Sequence, residues 1–547
     1  MSNGLLLWAD DEMELLGAHL LFLEKKGYEV VTVTNGRDAI EECRRRTFDL
    51  VLLDEMMPGL SGLETLAHIK ELTPQTPVVM VTKSEEEDIM NQAIGQQIAD
   101  YLIKPVNPNQ ILLTLKKNIH RREIVNEAVQ TGYQQQFQQI SMQIMDCRTH
   151  QDWTKVYKRL VRWELELSQT DAGSMAEMLQ MQKQEANRGF AKFVRQNYLE
   201  WVAPSNLPRH EVAPSNLPRP GEAPRAATSL QSGGLRGAPL LSPDLFKTKV
   251  FPLLNEGRRV FLVVLDNFRY DQWKMLEREL AEDFEIDEDL YFSILPTATQ
   301  YARNAIFSGL MPQQIAKMFP ELWVDEDEEE GKNLNEEPLI RTQLERYRRK
   351  NTFSYHKINT SQEADRLLQQ LNTLERNDLN VVVFNFIDML SHARTESKMV
   401  RELANNESAY RSITLSWFRH SVISDLFRRL AQSDYEVIVT TDHGSIRADN
   451  PVKIIGDRNT NTNLRYKLGK NLAYDAKDLF VIREPQKAGL PAPNLSTSYV
   501  FATGDDFFAY PNNYNYYVSY YRNTFQHGGI SLEEMVIPLI NMRGRRR

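Results

Sequence analysis

Five short apolar runs in this chain end on an acidic residue or lead straight into one: LLLWADD at Leu5–Asp11, LVLLD at Leu50–Asp54, VFLVVLD at Val260–Asp266, VVVFNFID at Val381–Asp388 and EVIVTTDH at Glu436–His443. Runs so short and so apolar are what parallel strands covered on both faces require, and the segments between them carry helical periodicity. The chain is thereby confined to α/β architectures, in which strand ends present functional groups along one edge of a sheet. At 547 residues it exceeds a single hydrophobic core, and length suggests roughly three or four domains.

Residues 4–119 alternate the strand candidates Leu5–Ala9, Glu29–Thr34, Leu50–Leu53, Val78–Thr82 and Tyr101–Ile103 with amphipathic segments such as Glu14–Lys26 and Gly62–Leu72. This predicts a flavodoxin-like, doubly wound parallel sheet of five strands. From Arg121 to Trp201 the sequence turns polar, rich in Gln and free of Pro, with apolar residues at three- and four-residue spacing (Phe137, Ile140, Ile144; Val156, Leu160, Trp163, Leu167). That spacing predicts a helical bundle, either a relay or dimer interface or a spacer. Residues 202–243 carry VAPSNLPR twice, at Val202–Arg209 and Val212–Arg219, followed by more Pro, Gly, Ser and Ala, which reads as a flexible tether. No function attaches to the repeat. A second α/β domain follows from Leu245, with strand candidates Val260–Leu265, Val381–Phe386 and Glu436–Thr441. The expected division is 1–120, 121–201, 202–243 and 244–547. The acidic run Asp325–Glu330 is expected to be a solvated insertion loop, with cation attraction as the alternative.

A net charge of -9 and a pI near 5.7 exclude a surface that traps nucleic acid as a whole, though a local basic groove stays open. Cys43 and Cys147 form no CxxC pattern, which argues against a disulfide scaffold or thiolate zinc site and for a reducing cytoplasm. The N-terminus has no basic n-region, and no apolar run of membrane length follows, so neither signal peptide nor membrane insertion is expected.

Asp10 and Asp11 follow the first strand and Asp54 the third, so three carboxylates converge at the carboxyl edge of the sheet and repel one another unless a hard cation such as Mg2+ neutralises them. Thr82 and Lys104 close strands four and five, a hydroxyl and an ammonium suited to phosphate oxygens. Pro105, after Lys104, is expected in cis. With Met57, Pro58 and Gly62 after Asp54 and Tyr101 before Lys104, residues 4–120 resemble the receiver domain of two-component response regulators. The resemblance implies Asp54 as phosphoacceptor, Mg2+ held by Asp10, Asp11, Asp54 and Met56, a switch formed by Thr82, Tyr101 and Lys104, and a sensor histidine kinase as partner. Lys83 departs from the small residue usual in the family.

In the second half, Asp266 alone would be a helix cap or a metal ligand. Asp388 and His392 stand one helical turn apart, Asp442 and His443 are adjacent at a strand end, and His527 is followed by glycines that let backbone approach a crowded site. Together these groups exceed what one ion can use and point to two adjacent divalent ions. The segment LPTATQYARNAIFSG supplies a nucleophile, because a threonine hydroxyl touching a cation at a helix N-terminus has a lowered pKa. Thr297 and Thr299 are both candidates, and either could instead cap the helix.

The order Asp, P-[ST]-x-T, D-x-x-x-H, DHG and late H-G is similar to the nucleotide pyrophosphatase/phosphodiesterase branch of the alkaline phosphatase superfamily. The wording PTATQYARNAIFSG resembles PglZ domains, and a receiver, a helical bundle and a PglZ domain in series resemble the PorX-type response regulators of bacteria. This implies an alkaline-phosphatase-like domain with Asp266, Thr299, Asp442 and His443 on one zinc, and Asp388, His392 and His527 on the other. Thr299 is then the nucleophile and Thr297 the alternative; Arg303 either stabilises substrate charge or pairs elsewhere. The implied activity is a zinc-dependent phosphodiesterase acting on nucleotide or oligonucleotide linkages, in a cytoplasmic protein that dimerises on phosphorylation and helps control a protein secretion system. The aromatic stretch Tyr510–Tyr521 stacks nucleobases or packs on its own domain. The alternative is a phosphorylation-dependent adaptor that binds a sigma factor or secretion component and keeps the hydrolase fold as scaffold; no helix-turn-helix effector is evident.

Overall fold

The computed structural model describes residues 3–73, 76–82, 98–119, 121–170, 173–203, 237–326, 328, 333–404, 406–456, 460–474 and 479–545. Lys83, tether residues 204–236 with the second VAPSNLPR, and Asp327, Glu329 and Glu330 of the acidic run lie outside the described residues. Contacts divide the chain into two units, Met1–Gln135 with Gln169–Ala172, and Gln136–Ser168 with Gly173–Arg547. Among the described residues no helix is long and apolar enough to cross a membrane.

The first unit is built on β1 (Gly4–Ala9), β2 (Tyr28–Val33), β3 (Leu50–Asp54), β4 (Val78–Thr82) and β5 (Asp100–Ile103), in the order β2-β1-β3-β4-β5 with all pairs parallel. Helices α1 (Gly17–Lys25), α2 (Gly36–Arg45), α3 (Gly62–Leu72) and α4 (Pro108–Ile119) accompany it. Strands β3 and β4 are buried along their whole length because successive side chains point into two apolar layers. Leu7, Val51 and Leu53 lie in one, Leu6, Leu50 and Leu52 in the other. The expected helix Glu14–Lys26 divides into a 3-10 turn, Met13–Leu16, and α1; Gly17, a poor helix former, stands at the junction. A capping box between Ser61 and Glu64 starts α3.

In the second unit α5 (Arg121–Asp146, belonging here from Gln136), α6 (His150–Ser168) and α7 (Ser174–Trp201) precede a six-stranded sheet. Its strands are β6 (Arg259–Leu265), β7 (Phe284–Phe292), β8 (Phe353–Ile358), β9 (Leu379–Phe384), β10 (Tyr435–Thr440) and β11 (Val536–Gly544), in the order β7-β11-β10-β6-β9-β8. Only β11 runs against its neighbours in this sheet. Strand β9 stops at Phe384, two residues before the expected end. Asn385 breaks the apolar run there, its side chain turned to Asn359, and Phe386 opens a helix. The helices that carry the site are α8 (Tyr270–Leu280), α9 (Thr299–Ser308) and α10 (Phe386–Glu396).

The helices α6 and α7 share a core with the sheet instead of closing only on one another. Phe292 of β7 packs against Phe190 and Trp201 of α7 at ring distances of 6.0 and 5.8 Å. A buried ion network ties the same elements: Glu164 of α6 meets Lys183 and Arg411 at 2.7 Å each, Arg411 meets Asp271 at 3.1 Å, and Arg269 meets Asp271 and Glu407 at 2.6 Å each. Charges so placed hold the fold in register and penalise removal of any one partner.

Candidate functional site

In the first unit the ends of β1 and β3 bring Asp10, Asp11 and Asp54 within 4.8 Å of one another. Lys104 reaches in from the end of β5, its Nζ 2.8 Å from Asp10 Oδ2 and 3.0 Å from Asp54 Oδ2, and the Lys104–Pro105 peptide is cis. Burial pushes the Asp54 carboxyl up, with Asp10 adding to the shift and the Lys104 hydrogen bond opposing it. The amine of Lys104, which burial would lower, is raised by those two acids. The Thr82 hydroxyl donates to Glu55 Oε2. Tyr101 is exposed, facing outward, and the Met56 side chain is exposed too.

In the second unit three strand ends converge. Asp266 follows β6, Asp442 and His443 follow β10, and α10 begins just beyond β9 with Asp388 and His392 one turn apart. His527 lies after Thr524–Gln526, a strand paired with Ile446–Ala448. Two ligand clusters result, Asp266 with Asp442 and His443, and Asp388 with His392 and His527, each with its atoms within 4.8 Å. His443 and His527 stack at 4.2 Å between ring centroids, so the clusters share a wall. Thr299, the first residue of α9, places its Oγ 3.1 Å from His443 Nε2. Neither threonine caps the helix: Ala298 holds the cap position without a side-chain bond.

The donor set fits divalent metal ions. His443 Nδ1 lies 3.1 Å from the Gly444 carbonyl and His527 Nδ1 3.2 Å from the Thr297 carbonyl. Each carbonyl can only accept, so each ring carries a proton on Nδ1 and turns its Nε2 toward the cluster, the nitrogen left to serve as a metal ligand. Contacts from Nε2 are 3.8 Å to Asp266 and to Asp442 for His443, 3.6 Å to Asp388 for His527 and 3.4 Å to Asp388 for His392. Two ligands about 2.0–2.1 Å from a tetrahedral ion would stand about 3.3 Å apart. Asp266 Oδ1 and Asp442 Oδ2 are buried and accept no hydrogen bond among the described residues, a costly arrangement unless a cation faces them. A fourth cluster, Glu164, Asp271 and Glu407, is different, since Lys183, Arg269 and Arg411 already neutralise it.

Arg303 settles into the wall of the site. Its guanidinium pairs with Asp266 at 2.9 Å and Glu336 at 2.7 Å, and Lys357 stands 3.1 Å from the other Glu336 oxygen. Pairing of this kind is one of the two roles the sequence allows it. Burial, joined by Asp442 and Asp388, pushes Asp266 well above its ordinary range against Arg303. Asp442 is as buried, yet His443 and Arg303 hold it below its ordinary value. Burial and then His443 press His527 down to about 3, so it stays neutral in the metal-free protein.

The Thr297 hydroxyl is occupied elsewhere: it donates to the Gly529 carbonyl at 2.8 Å and accepts from the Gly528 N–H at 3.0 Å, so it holds the His527 loop in place. Gly528 has φ +120, and a Cβ there would meet the Tyr466 ring at 2.6 Å, which is why glycine follows the histidine. The acidic run is not wholly solvated. Glu326 accepts from Tyr466 at 2.7 Å and Tyr301 at 3.1 Å. The aromatic stretch forms a helix at Tyr514–Tyr521, with Tyr514, Val518 and Tyr521 packed on the domain and Tyr516 and Tyr517 exposed.

Three family profiles match in series. Residues 6–116 match the response regulator receiver domain, 123–202 the PorX response regulator linker domain, and 245–542 the BREX system PglZ alkaline phosphatase-like domain, the last alone more than half of the 547 residues. The chain belongs to the PorX-type response regulators. Among curated proteins, its receiver is 34% identical over 128 residues to the transcriptional regulatory protein ResD of Bacillus subtilis (strain 168), covering 23% of this chain and 50% of that protein. It is 34% identical over 121 residues to the transcriptional regulatory protein ZraR of Escherichia coli O157:H7, covering 22% and 27%. The chain thus spans half or less of the length of these relatives. Among solved structures it is similar to a CheY-like receiver domain protein from Methanospirillum hungatei JF-1, with 27% identity, 22% of this chain and 95% of that one covered, and a TM-score of 0.21. A receiver domain protein from Clostridium thermocellum shows 28% identity, 23% and 98% coverage, and a TM-score of 0.21.

In this PorX-type chain the helices matched as linker touch both loops of the alkaline phosphatase-like site. Tyr198 of α7 accepts the Leu295 N–H at 2.7 Å, four residues before Thr299. Asn187 of α7 accepts the Leu532 N–H at 2.8 Å and donates to Glu533 at 3.0 Å, just beyond the His527 loop. Sequence reasoning missed these contacts, and it also missed Asn267 and Glu336. Asn267, directly after Asp266, adopts φ 63 and donates to Asp388 at 3.2 Å, linking the clusters; asparagine after a strand-end aspartate was the available signal, because it tolerates that backbone region. Glu336 was hidden by the acidic run that precedes it.

Proposed function

We propose that this chain is a phosphorylation-controlled, zinc-dependent phosphodiesterase that cleaves nucleotide or oligonucleotide diesters. The reading rests above all on the two acid and histidine clusters set side by side with the Thr299 hydroxyl at their edge. Its framework is the division into a receiver (1–120), linker helices (121–201), tether (202–243) and PglZ domain (244–547).

Asp266, Thr299, Asp442 and His443 would hold one zinc and Asp388, His392 and His527 the other. Zinc in such sites lowers the pKa of a hydroxyl and offsets charge on phosphoryl oxygens. Thr299 Oγ attacks phosphorus, its proton passes to solvent, and a Thr–O–P bond forms as the ester oxygen opposite departs and takes up a proton. Water then attacks the same phosphorus, restoring the threonine hydroxyl and releasing a phosphomonoester. Arg303 is committed to Asp266 and Glu336, which withholds it from the second charge of a monoester and favours diesters. The exposed Tyr516 and Tyr517 suit stacking on nucleobases.

On the receiver side, Asp10, Asp11, Asp54 and Met56 would hold Mg2+, Met56 through its carbonyl, since a hard cation takes oxygen ligands. Asp54 receives its phosphoryl group from a sensor histidine kinase, phosphorylation pairs two copies, and the cytoplasmic protein acts on a secretion system. Bound zinc and hydrolysis of bis(p-nitrophenyl) phosphate against the monoester test the reading. We expect two zincs per chain, preference for the diester, and loss of activity in Thr299→Val. Zinc-loaded protein that cleaves neither ester would leave the hydrolase fold as the scaffold of an adaptor for a sigma factor or secretion component.

A further inference from the structure

A pocket of about 710 Å³ opens between α6 and α8, beside the last turns of α5. Six of its lining side chains are cationic, Lys155, Lys158, Arg159 and Arg162 on α6 and Lys274 and Arg278 on α8, against two carboxylates, Glu166 and Glu277. In a chain of net charge -9 such a local excess raises the concentration of anions at the pocket.

The cations differ in how far they are already neutralised. Behind the pocket, Glu288 is shared by Lys158 at 2.9 Å and Lys274 at 3.0 Å, and it also accepts from Tyr270 and Trp273. Arg162 pairs with Glu166 at 2.7 Å one turn away on an exposed face, a contact of little strength. Arg159 meets no carboxylate among the described residues. Its guanidinium donates instead to the amide oxygens of Gln136, Gln139 and Gln143, each at 2.7 Å. Neutral amides orient the fork without cancelling its charge. Burial and the nearby Arg162 both press its pKa down, so the charged form is held at a disadvantage that an anion would relieve. Lys155 and Arg278 stand exposed at the pocket, without an ion pair among the described residues. The volume falls within the roughly 300–1,000 Å³ of small-ligand sites.

We propose that this pocket binds a small multiply phosphorylated anion, a polyphosphate chain either free or carried by a nucleoside, with Arg159 as its central contact and Lys155 and Arg278 at its rim. The site lies outside the acid and histidine clusters and does not depend on their hydrolysing anything. Titration calorimetry on the full-length, zinc-loaded protein tests it, with tripolyphosphate, ATP and a single-stranded DNA 12-mer as probes. The proteins compared are wild type, the exposed double variant Lys155→Glu/Arg278→Glu and the fork-removing Arg159→Lys, with unfolding temperature as control for folding. Tripolyphosphate should bind wild type and weaken about tenfold or more in the double variant, with a smaller loss in Arg159→Lys. Equal affinity for ATP and tripolyphosphate means the phosphate chain alone is read; tighter ATP binding that falls in the same variants means the nucleoside is read too. Binding of both small probes that is unchanged by the variants would overturn the proposal. So would a DNA 12-mer that binds through these residues while neither small probe does, which would make the face a nucleic-acid groove.

Discussion

Both units of the chain end parallel strands on carboxylates, but they surround those carboxylates with different partners. In the receiver, Asp10 and Asp54 share the single amine of Lys104, a compact donor with no lone pair to offer. In the PglZ domain, Asp266 and Asp442 lie beside the Nε2 of His443, and Arg303 is locked behind them by Glu336. An amine beside carboxylates prepares a pocket for an arriving anion such as a phosphoryl group, once a cation offsets the acids. Imidazole lone pairs beside carboxylates prepare one for cations that stay.

The largest effects should separate the two pockets. Asp442→Ala or Asp388→Ala should lower diester hydrolysis by about three orders of magnitude or more, measured as kcat/KM, and each should shed one zinc. Asp10→Ala should abolish labelling of Asp54 by acetyl phosphate and leave hydrolysis by the unphosphorylated protein unchanged. A comparable loss of hydrolysis in Asp10→Ala would erase the distinction. Next in size is the cost of removing each cation. Arg303→Met removes the only lysine or arginine within ion-pair distance of Asp266 among the described residues and leaves Glu336 to Lys357, an expected loss of about 3–5 kcal/mol in urea unfolding for the uncompensated buried charge. Lys104→Met, at a partly open pocket, should cost about 1–3 kcal/mol.

Much of this contrast is legible in the amino-acid sequence. Asp266, Asp388 and Asp442 stand out because buried parallel strands are short and uniformly apolar, so an acid at their end is conspicuous. The receiver acids and Lys104 stand out for the same reason. What the sequence left open depended on orientation. Thr297 and Thr299 are chemically alike two residues apart, and only the folded loop shows one hydroxyl bonded to Gly528 and Gly529 and the other facing His443. Arg303 can face substrate or its own neighbours, and only the folded chain shows Glu336 beside it. The strand Val381–Phe386 ran two residues too far because Phe386 and Ile387 extend the apolar pattern after the backbone has already turned helical.

Smaller tests sharpen how each pocket is held. Tyr198→Phe removes the acceptor of the Leu295 N–H and should lower kcat about tenfold with KM unchanged, while Asp54 labelling stays as in wild type; a rise in KM alone would mean the contact acts on substrate binding. The pH dependence should have opposite signs in the two units. Folded His527 is pressed down to about 3, whereas an unfolded imidazole titrates near 6.5. As pH falls below about 6.5 the unfolded chain takes up a proton that the folded one refuses, so the metal-free protein loses about 1.4 kcal/mol per pH unit, a slope that His527→Gln should remove. Asp54 is raised by burial, so its contribution to receiver stability grows as pH falls and is lost as pH rises through the raised value; Asp54→Asn should remove that opposite trend.

The assignment of Thr299 as the group that attacks phosphorus can be read directly by quenching the zinc-loaded protein in acid during turnover of a radiolabelled diester and mapping the labelled peptide. Label on Thr299, absent in Thr299→Val and retained in Thr297→Val, is the predicted result; turnover with label on another residue, or with none trapped on the protein, would contradict it.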